Sequence, residues 1–277
     1  MGIVFALIAA ATYGISDFIG GFASRRVPAL AVLLISYPVG GALMALLLIW
    51  YHGPVSAGTL VWSLAGGAAG LAGVALLYSA LAIAPMNVVS PVTAVMSAVV
   101  PVVAGVLRGE RPHSLAWIGI LLGLAAVALI SRQPEDHPHG PIGLRPLLMS
   151  VLAGVGFGVY FVCLASADSD SGLWPVVISR LCSAGLVIPL VWLAKAFVRV
   201  PRPVLGLAAA AGALDATANW TFLLASRHGL LSLSGVITAL YPAGTVLLAM
   251  ALLRERSGAV QRIGFGVAVV SVVLLTR

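Results

Sequence analysis

Ser234–Leu275 reads SGVITALYPAGTVLLAMALLRERSGAVQRIGFGVAVVSVVLL. It holds two apolar runs, each near the ~20 residues a helix needs to cross about 30 Å of hydrocarbon. The charged knot Arg254-Glu255-Arg256 joins them. The same phrase stands earlier, at Pro91–Ile130, as PVTAVMSAVVPVVAGVLRGERPHSLAWIGILLGLAAVALI. An offset of 145 carries Thr238 onto Thr93, Ala239 onto Ala94, Ala249 onto Ala104 and Leu252 onto Leu107. Without a gap it also carries Glu255 onto Glu110, Arg256 onto Arg111, Ile263 onto Ile118 and Gly264 onto Gly119. One unit is written twice.

The repeat continues outward from this stretch. Tyr13-Gly14 matches Phe157-Gly158 at an offset of 144, Ile35-Ser36-Tyr37 matches Ile178-Ser179-Arg180 at 143, and Gly67 matches Gly212 at 145. Small loop insertions account for the drift. Apolar runs predict ten spans, the first five being 2–22, 29–51, 57–84, 86–107 and 114–131. The second five are 147–165, 173–198, 203–226, 230–253 and 259–276. The Pro- and charge-rich stretch RQPEDHPHGPIGLR, Arg132–Arg145, reads as the linker between them. The expected organisation is a first five-helix repeat over 1–131, a loop over 132–145 and a second repeat over 146–277. An odd number of spans per unit makes the second enter the membrane upside down. The predicted fold is therefore an all-α integral membrane protein, ten transmembrane helices in two inverted five-helix repeats.

Composition independently excludes a soluble domain. The 277 residues are 61% hydrophobic and 8% charged, against roughly 25% charged in soluble domains, and the mean hydropathy is +1.12. The net charge of +7 does not indicate nucleic acid, because the basic residues sit mainly in loops between apolar runs. Cys163 and Cys182 lie inside apolar runs and read as small hydrophobes rather than a disulfide or metal pair. Met1–Phe22 lacks a basic start and a cleavage site, so it reads as a retained first span. Arg supplies nearly all the basic side chains, a weak pointer to a GC-rich bacterial genome and so to the bacterial inner membrane. The loops after the odd-numbered spans hold Arg25, Arg26, Arg132, Arg145, Lys195, Arg199, Arg202, Arg254, Arg256 and Arg262. The other face holds Arg108, Arg111, Arg227 and Arg277. That bias alone places both termini outside.

Three charged residues fall well inside apolar runs: Asp17, Arg180 and Asp215. Each costs about 2.5–3.5 kcal/mol at mid-bilayer on the lenient insertion scale, so all three must face the interior and find partners. Their equivalents in the other repeat are Phe161, Tyr37 and Gly70. The scaffold is duplicated and the charges are not, which favours a lopsided site. Counting about 1.5 Å per residue, Arg180 and Asp215 reach similar depth on neighbouring antiparallel spans. They are expected to pair, either as a plain structural strut or as a pair that substrate or a proton breaks. Asp17 is expected either to snorkel toward the interface or to accept a proton.

Around these, Asn219 shares a face with Asp215 by its i, i+4 spacing. Tyr13, Tyr78, Tyr160, Trp220 and Tyr241 are candidate cavity walls, although aromatic residues in spans more often pack or anchor. Ser90, Thr93, Ser232, Ser234 and Thr238 offer hydroxyls to a substrate or to neighbouring helices. Pro91, Pro101 and Pro242 free backbone carbonyls within spans. Glu110 and Glu255, each flanked by Arg, read as local salt bridges and helix-end anchors. Glu135, Asp136, His137 and His139 lie in a Pro-broken loop unsuited to a dedicated metal site, so no metal or cofactor is expected. Gly66/Gly70, Gly119/Gly123 and Gly154/Gly158 are small-xxx-small spacings for close helix approach.

TYGISDFIGG, then GER closing span four, then ALYPAGTVLLA leading into RER, together resemble the EamA branch of the drug/metabolite transporter superfamily. The resemblance covers essentially the whole chain. Pro242 stands thirteen residues before Glu255, as in the family pattern, whereas the first repeat has Ser97 there with Pro101 nearby. The family implies a ten-helix bundle in which spans one, three, four, six, eight and nine line a central cavity. It also implies that spans two and seven act as gates, and that the termini are cytoplasmic, against the Arg bias. The family's orientation is preferred.

The expected function is a secondary transporter, an exporter of small organic metabolites such as amino acids, with proton coupling as the candidate drive. No GxxxxGK[ST] loop is present to argue for ATP. The alternative is a flippase for a lipid-linked carrier on the same fold. An intramembrane enzyme is not expected, since HExxH and GxSxG are missing and the five His lie in or near loops. The expected partners are a small-molecule substrate, the lipid bilayer and, where transport is coupled, protons, with no nucleic acid. The chain is expected to act as a monomer, with a dimer as the alternative.

Overall fold

A computed structural model describes residues 1–84, 86–132, 143–253 and 258–277, with no side-chain description at 86 and 87. All regular structure among these is helical. The first half holds α1 (Gly2–Ser24), α2 (Ala29–Leu47), α3 (Ala57–Leu81), α4 (Met86–Leu107) and α5 (Ser114–Ser131). The second holds α6 (Leu144–Ser166), α7 (Trp174–Leu193), α8 (Arg202–His228), α9 (Leu231–Thr238), α10 (Tyr241–Leu252) and α11 (Ala259–Thr276).

Among the described residues, nine helical stretches are long and apolar enough to cross a membrane, with Leu231–Leu252 counted as one. The helix outside that set is α8. It carries Asp215, Thr217, Asn219 and Thr221 along one length of chain, which lowers its apolarity. Its 27 residues still reach about 40 Å, and it is sheltered by α1 and α2. The chain is thus a multi-pass membrane protein. Side chains such as Val61, Leu121, Ile188 and Ile263 point outward as an exposed apolar coat, which fits hydrocarbon and not water.

The predicted ninth span is broken. Its backbone turns at Ala239-Leu240, ahead of Pro242 in the first turn of α10. A proline lacks the amide that would continue the helix ladder. In the first half, where Ser97 replaces that proline, α4 runs unbroken and accommodates Pro91 and Pro101 inside it.

Helix packing is matched between the halves. α1 packs on α8 as α3 packs on α6; α2 packs on α8 as α7 packs on α3; α5 meets its own equivalent, α11. Glycines mark the closest approaches. A Cβ on Gly67 would strike the Ser179 carbonyl, and one on Gly212 the Ser36 carbonyl. Gly67 is the equivalent of Gly212, and Ser36 that of Ser179. Likewise Gly119 abuts Leu275 and Gly264 abuts Ile130. Two groups of helices emerge: α1, α2, α8, α9 and α10 on one side, and α3, α4, α6 and α7 on the other. They meet along α2 with α7 and α4 with α9, while α6 and α7 barely touch α8. The space between the groups is where buried charge collects.

Candidate functional site

Arg180 and Asp215 form an ion pair that joins α7 to α8 across the gap between the two groups. Arg180 is 6% exposed, and the Asp215 side chain keeps 28% exposure. The guanidinium lies 5.3 Å from the Tyr37 ring centroid and 6.0 Å from that of Tyr160. A desolvated cation over aromatic faces gains on the order of 2 kcal/mol, so the rings offset part of the burial cost. Among the described residues, Nε of Arg180 and the Tyr160 hydroxyl are buried without an aligned partner.

Asn219 extends the pair along α8. Its Nδ2 donates to the Asp215 backbone carbonyl at 2.6 Å, while the Asp215 carboxylate stands 3.5 Å away. Its Oδ1 accepts from the Tyr13 hydroxyl at 2.6 Å. The result is a chain of contacts running Tyr13, Asn219, Asp215, Arg180, from α1 through α8 to α7.

Asp17 sits one turn beyond Tyr13 on α1. At about 100° per residue, both lie opposite the exposed outer stripe Val4, Ile8, Ala11 and Ile15. Asp17 is nonetheless exposed, whereas Tyr13 is buried. Its carboxylate is therefore open toward the interior rather than toward lipid. It lies within electrostatic reach of Asp215, Tyr78 and Tyr241. Among the described residues no hydrogen bond or ion pair engages it. Toward the face where the chain begins, the space closes on an apolar plug that includes Tyr13, Phe161, Leu164, Leu173, Phe222 and Leu223. Phe161 and Phe222 stack with centroids 4.4 Å apart.

The family profile of the EamA-like transporters matches residues 1–132 and 144–277, in two segments. The chain belongs to that family. A solved crystal structure aligns with this EamA-like chain at a TM-score of 0.81 and 19% identity, covering 99% of this chain and 96% of that one. That likeness is one of fold. No curated protein matches the chain in sequence.

The sequence-predicted residues distribute unevenly over this EamA-like bundle. Arg180, Asp215, Asn219 and Tyr160 are joined by direct contacts, and Asp17 lies within electrostatic reach of Asp215, Tyr78 and Tyr241. Tyr241 also packs on Tyr13, with ring centroids 6.1 Å apart. Trp220 turns instead to the closed end, its ring 5.0 Å from Tyr51. Thr93 is buried, and its hydroxyl donates at 3.1 Å to the Ser150 carbonyl, which joins α4 to α6. Ser90 is half-buried near the start of α4. The hydroxyls of Ser232 and Thr238 are buried without partners among the described residues.

One residue changes role. Glu110 does not make a local salt bridge with its flanking Arg. Its carboxylate crosses to α9 and accepts the Leu231 and Ser232 amides at 2.5 and 2.9 Å. That satisfies the unpaired N–H groups of a helix start, which attract negative charge. Glu255, its equivalent, and Glu135, Asp136, His137 and His139 lie outside the described residues, as do Arg254 and Arg256. Tyr37 was missing from the candidates, although the repeat contains the signal. It is the positional equivalent of Arg180, and helices α2 and α7 bring the two equivalents together.

Proposed function

We propose that this EamA-like protein is a secondary transporter, an exporter of a small organic metabolite, working by alternating access between the two helix groups with protons as the coupling ion. The observation that carries the reading is the Arg180–Asp215 pair bridging those groups beside an open Asp17 that no described residue bonds. A substrate group or a proton that takes one partner of the pair removes the charge link between α7 and α8 and frees the groups to rock. Asp17 and Asp215 act as proton acceptors. Arg180, with its free Nε, and the Tyr160 hydroxyl offer donors to an acceptor group on the substrate, and Tyr37, Tyr78 and Tyr241 supply apolar walls. No reacting group or nucleophile is needed for such a cycle.

The scheme takes the two halves to be inverted copies of one unit. Each half contributes an odd number of spans, and the contacts Gly67 with Ser179 and Gly212 with Ser36 are reciprocal. A two-fold axis in the membrane plane produces reciprocity of this kind and exchanges the two mouths. The bacterial inner membrane is the location in which such an exporter would act.

The test starts with a thermal-shift screen of the purified protein against amino acids, nucleosides, sugars and polyamines. Compounds that stabilise it are then offered to sealed proteoliposomes while internal pH is followed. Substrate-dependent proton movement that disappears in Asp215→Asn supports the reading. Proton movement unchanged in that variant reduces the pair to architecture.

A further inference from the structure

On the face where the chain begins, the closure is made by polar contacts that cross between the two helix groups. Arg227, in the last turn of α8, donates from Nη1 to the Gly172 carbonyl at 3.1 Å. From Nη2 it donates to the Asp168 carbonyl and to the Ser171 hydroxyl, each at 2.9 Å. All three acceptors belong to the loop joining α6 and α7, so one guanidinium fork grips three points of the opposing group. The same loop is stitched to the segment after α2. The Leu173 amide donates to the Tyr51 carbonyl at 3.0 Å, and the Trp174 indole donates to the Gly53 carbonyl at 3.1 Å.

Two further features make the loop a rigid target. Gly172 takes a positive φ of 58°, and a Cβ there would run into the Tyr51 carbonyl. Only glycine lets these two loop segments approach this closely. The Asp168 carboxylate, meanwhile, is held by the Ser56 and Thr59 hydroxyls at the start of α3. Ser56 is itself the N-cap of that helix, where a negative charge is favoured. Asp168 therefore anchors the loop to its own group, and Arg227 fastens it to the other.

The repeat does not reproduce this device. The equivalent of Arg227 at the opposite mouth is Ala82, and Asp168 falls against Ser24. We propose that Arg227 is the latch of the mouth on the termini face: it positions the α6–α7 loop in the closed state, and its release is the event that opens that mouth. Because the other mouth has alanine at this position, the empty transporter rests closed on the termini face. Asp17 is then accessible from the opposite one. Its meaning as a gate rests on the alternating-access reading, whereas the contact's effect on access does not.

The experiment therefore reads access and needs no known substrate. In a chain with Cys163→Ala and Cys182→Ala, Ala218→Cys places one thiol in the apolar plug beneath the latch, at a fully buried site. Sealed vesicles are treated with a membrane-impermeant maleimide from each face, and a terminal tag identifies the termini face. Arg227→Gln should raise labelling from that face about tenfold or more, the shift expected when a charged hydrogen-bonding group is lost from one state. Arg227→Lys, which keeps charge without the fork, should fall between, and it serves if the glutamine variant does not fold. Arg108→Gln is the control. Arg108 lies on the same face but donates to Ser166 within its own group, so labelling should stay at the parent level. Unchanged labelling in both Arg227 variants overturns the latch, as does an equal rise in Arg108→Gln. Should no substrate drive flux in any preparation, the transport reading falls while the labelling still decides the latch.

Discussion

Arg180 and Tyr37 hold equivalent positions in the two halves of the chain, and they meet, guanidinium to ring, 5.3 Å apart. The inverted relation proposed above would bring equivalent residues together near its axis, and α2 does pack on α7. In one copy the position became a cation and in the other its aromatic support. The asymmetry of the site is thus written at the centre of an otherwise matched scaffold, and the consequences can be measured.

Removing one member of the pair leaves the other charge uncompensated. Arg180→Ala or Asp215→Ala should each lower stability by about 2–3 kcal/mol, below the range for fully buried pairs because Asp215 keeps some exposure. The double variant should recover most of that loss, giving a coupling above ~1 kcal/mol in a double-mutant cycle of detergent unfolding. Additive losses would show that the two residues are not energetic partners.

Asp17 is expected to behave in the opposite way. With no hydrogen bond or ion pair to lose among the described residues, Asp17→Asn should shift stability by no more than ~0.5 kcal/mol. Transport should lose part of its dependence on pH, the part that Asp215 does not supply. Thermal unfolding and initial rates across pH separate the two effects, and a variant with wild-type pH dependence removes Asp17 from the coupling.

Tyr13→Phe deletes only the hydroxyl that donates to Asn219. The loss should be about 1–3 kcal/mol, the range for leaving a buried acceptor unsatisfied. Asn219→Ala should cost more, since Asn219 is fully buried and bonds both α1 and its own helix. A smaller effect at Asn219 than at Tyr13 would contradict the contact chain.

Glycine substitutions test the helix approaches. Gly212→Ala forces a methyl into the Ser36 backbone, which cannot move aside as a side chain does, and should cost about 1–3 kcal/mol or prevent insertion. Gly266→Ala on α11 meets nothing within 4 Å and should instead gain up to ~1 kcal/mol from helix propensity. Unfolding midpoints of the two variants should therefore move in opposite directions from the parent.

Much of the site was legible before any coordinates because burial of charge is so costly in a membrane. Asp17, Arg180 and Asp215 stood out against apolar neighbours, and axial rise alone placed two of them level. The i, i+4 spacing put Asn219 beside Asp215. What could not be read were the contacts between elements far apart in the chain. Thr93 spends its hydroxyl on Ser150, Trp220 turns to Tyr51, and Glu110 reaches α9 instead of its flanking Arg. Each depends on which faces of two helices meet, and periodicity does not carry that information.

The chain by itself determined a multi-pass helical membrane protein written as two copies of one unit, because continuous apolar runs of about 20 residues satisfy their backbone in hydrocarbon as helices and a repeat survives as text. The meeting of Arg180 with Tyr37, the opening of Asp17 to the interior and the grip of Arg227 on the α6–α7 loop were decided only by the tertiary structure. Those are relations between surfaces of packed helices, fixed by how side chains interlock across the bundle, and no single stretch of sequence contains both partners.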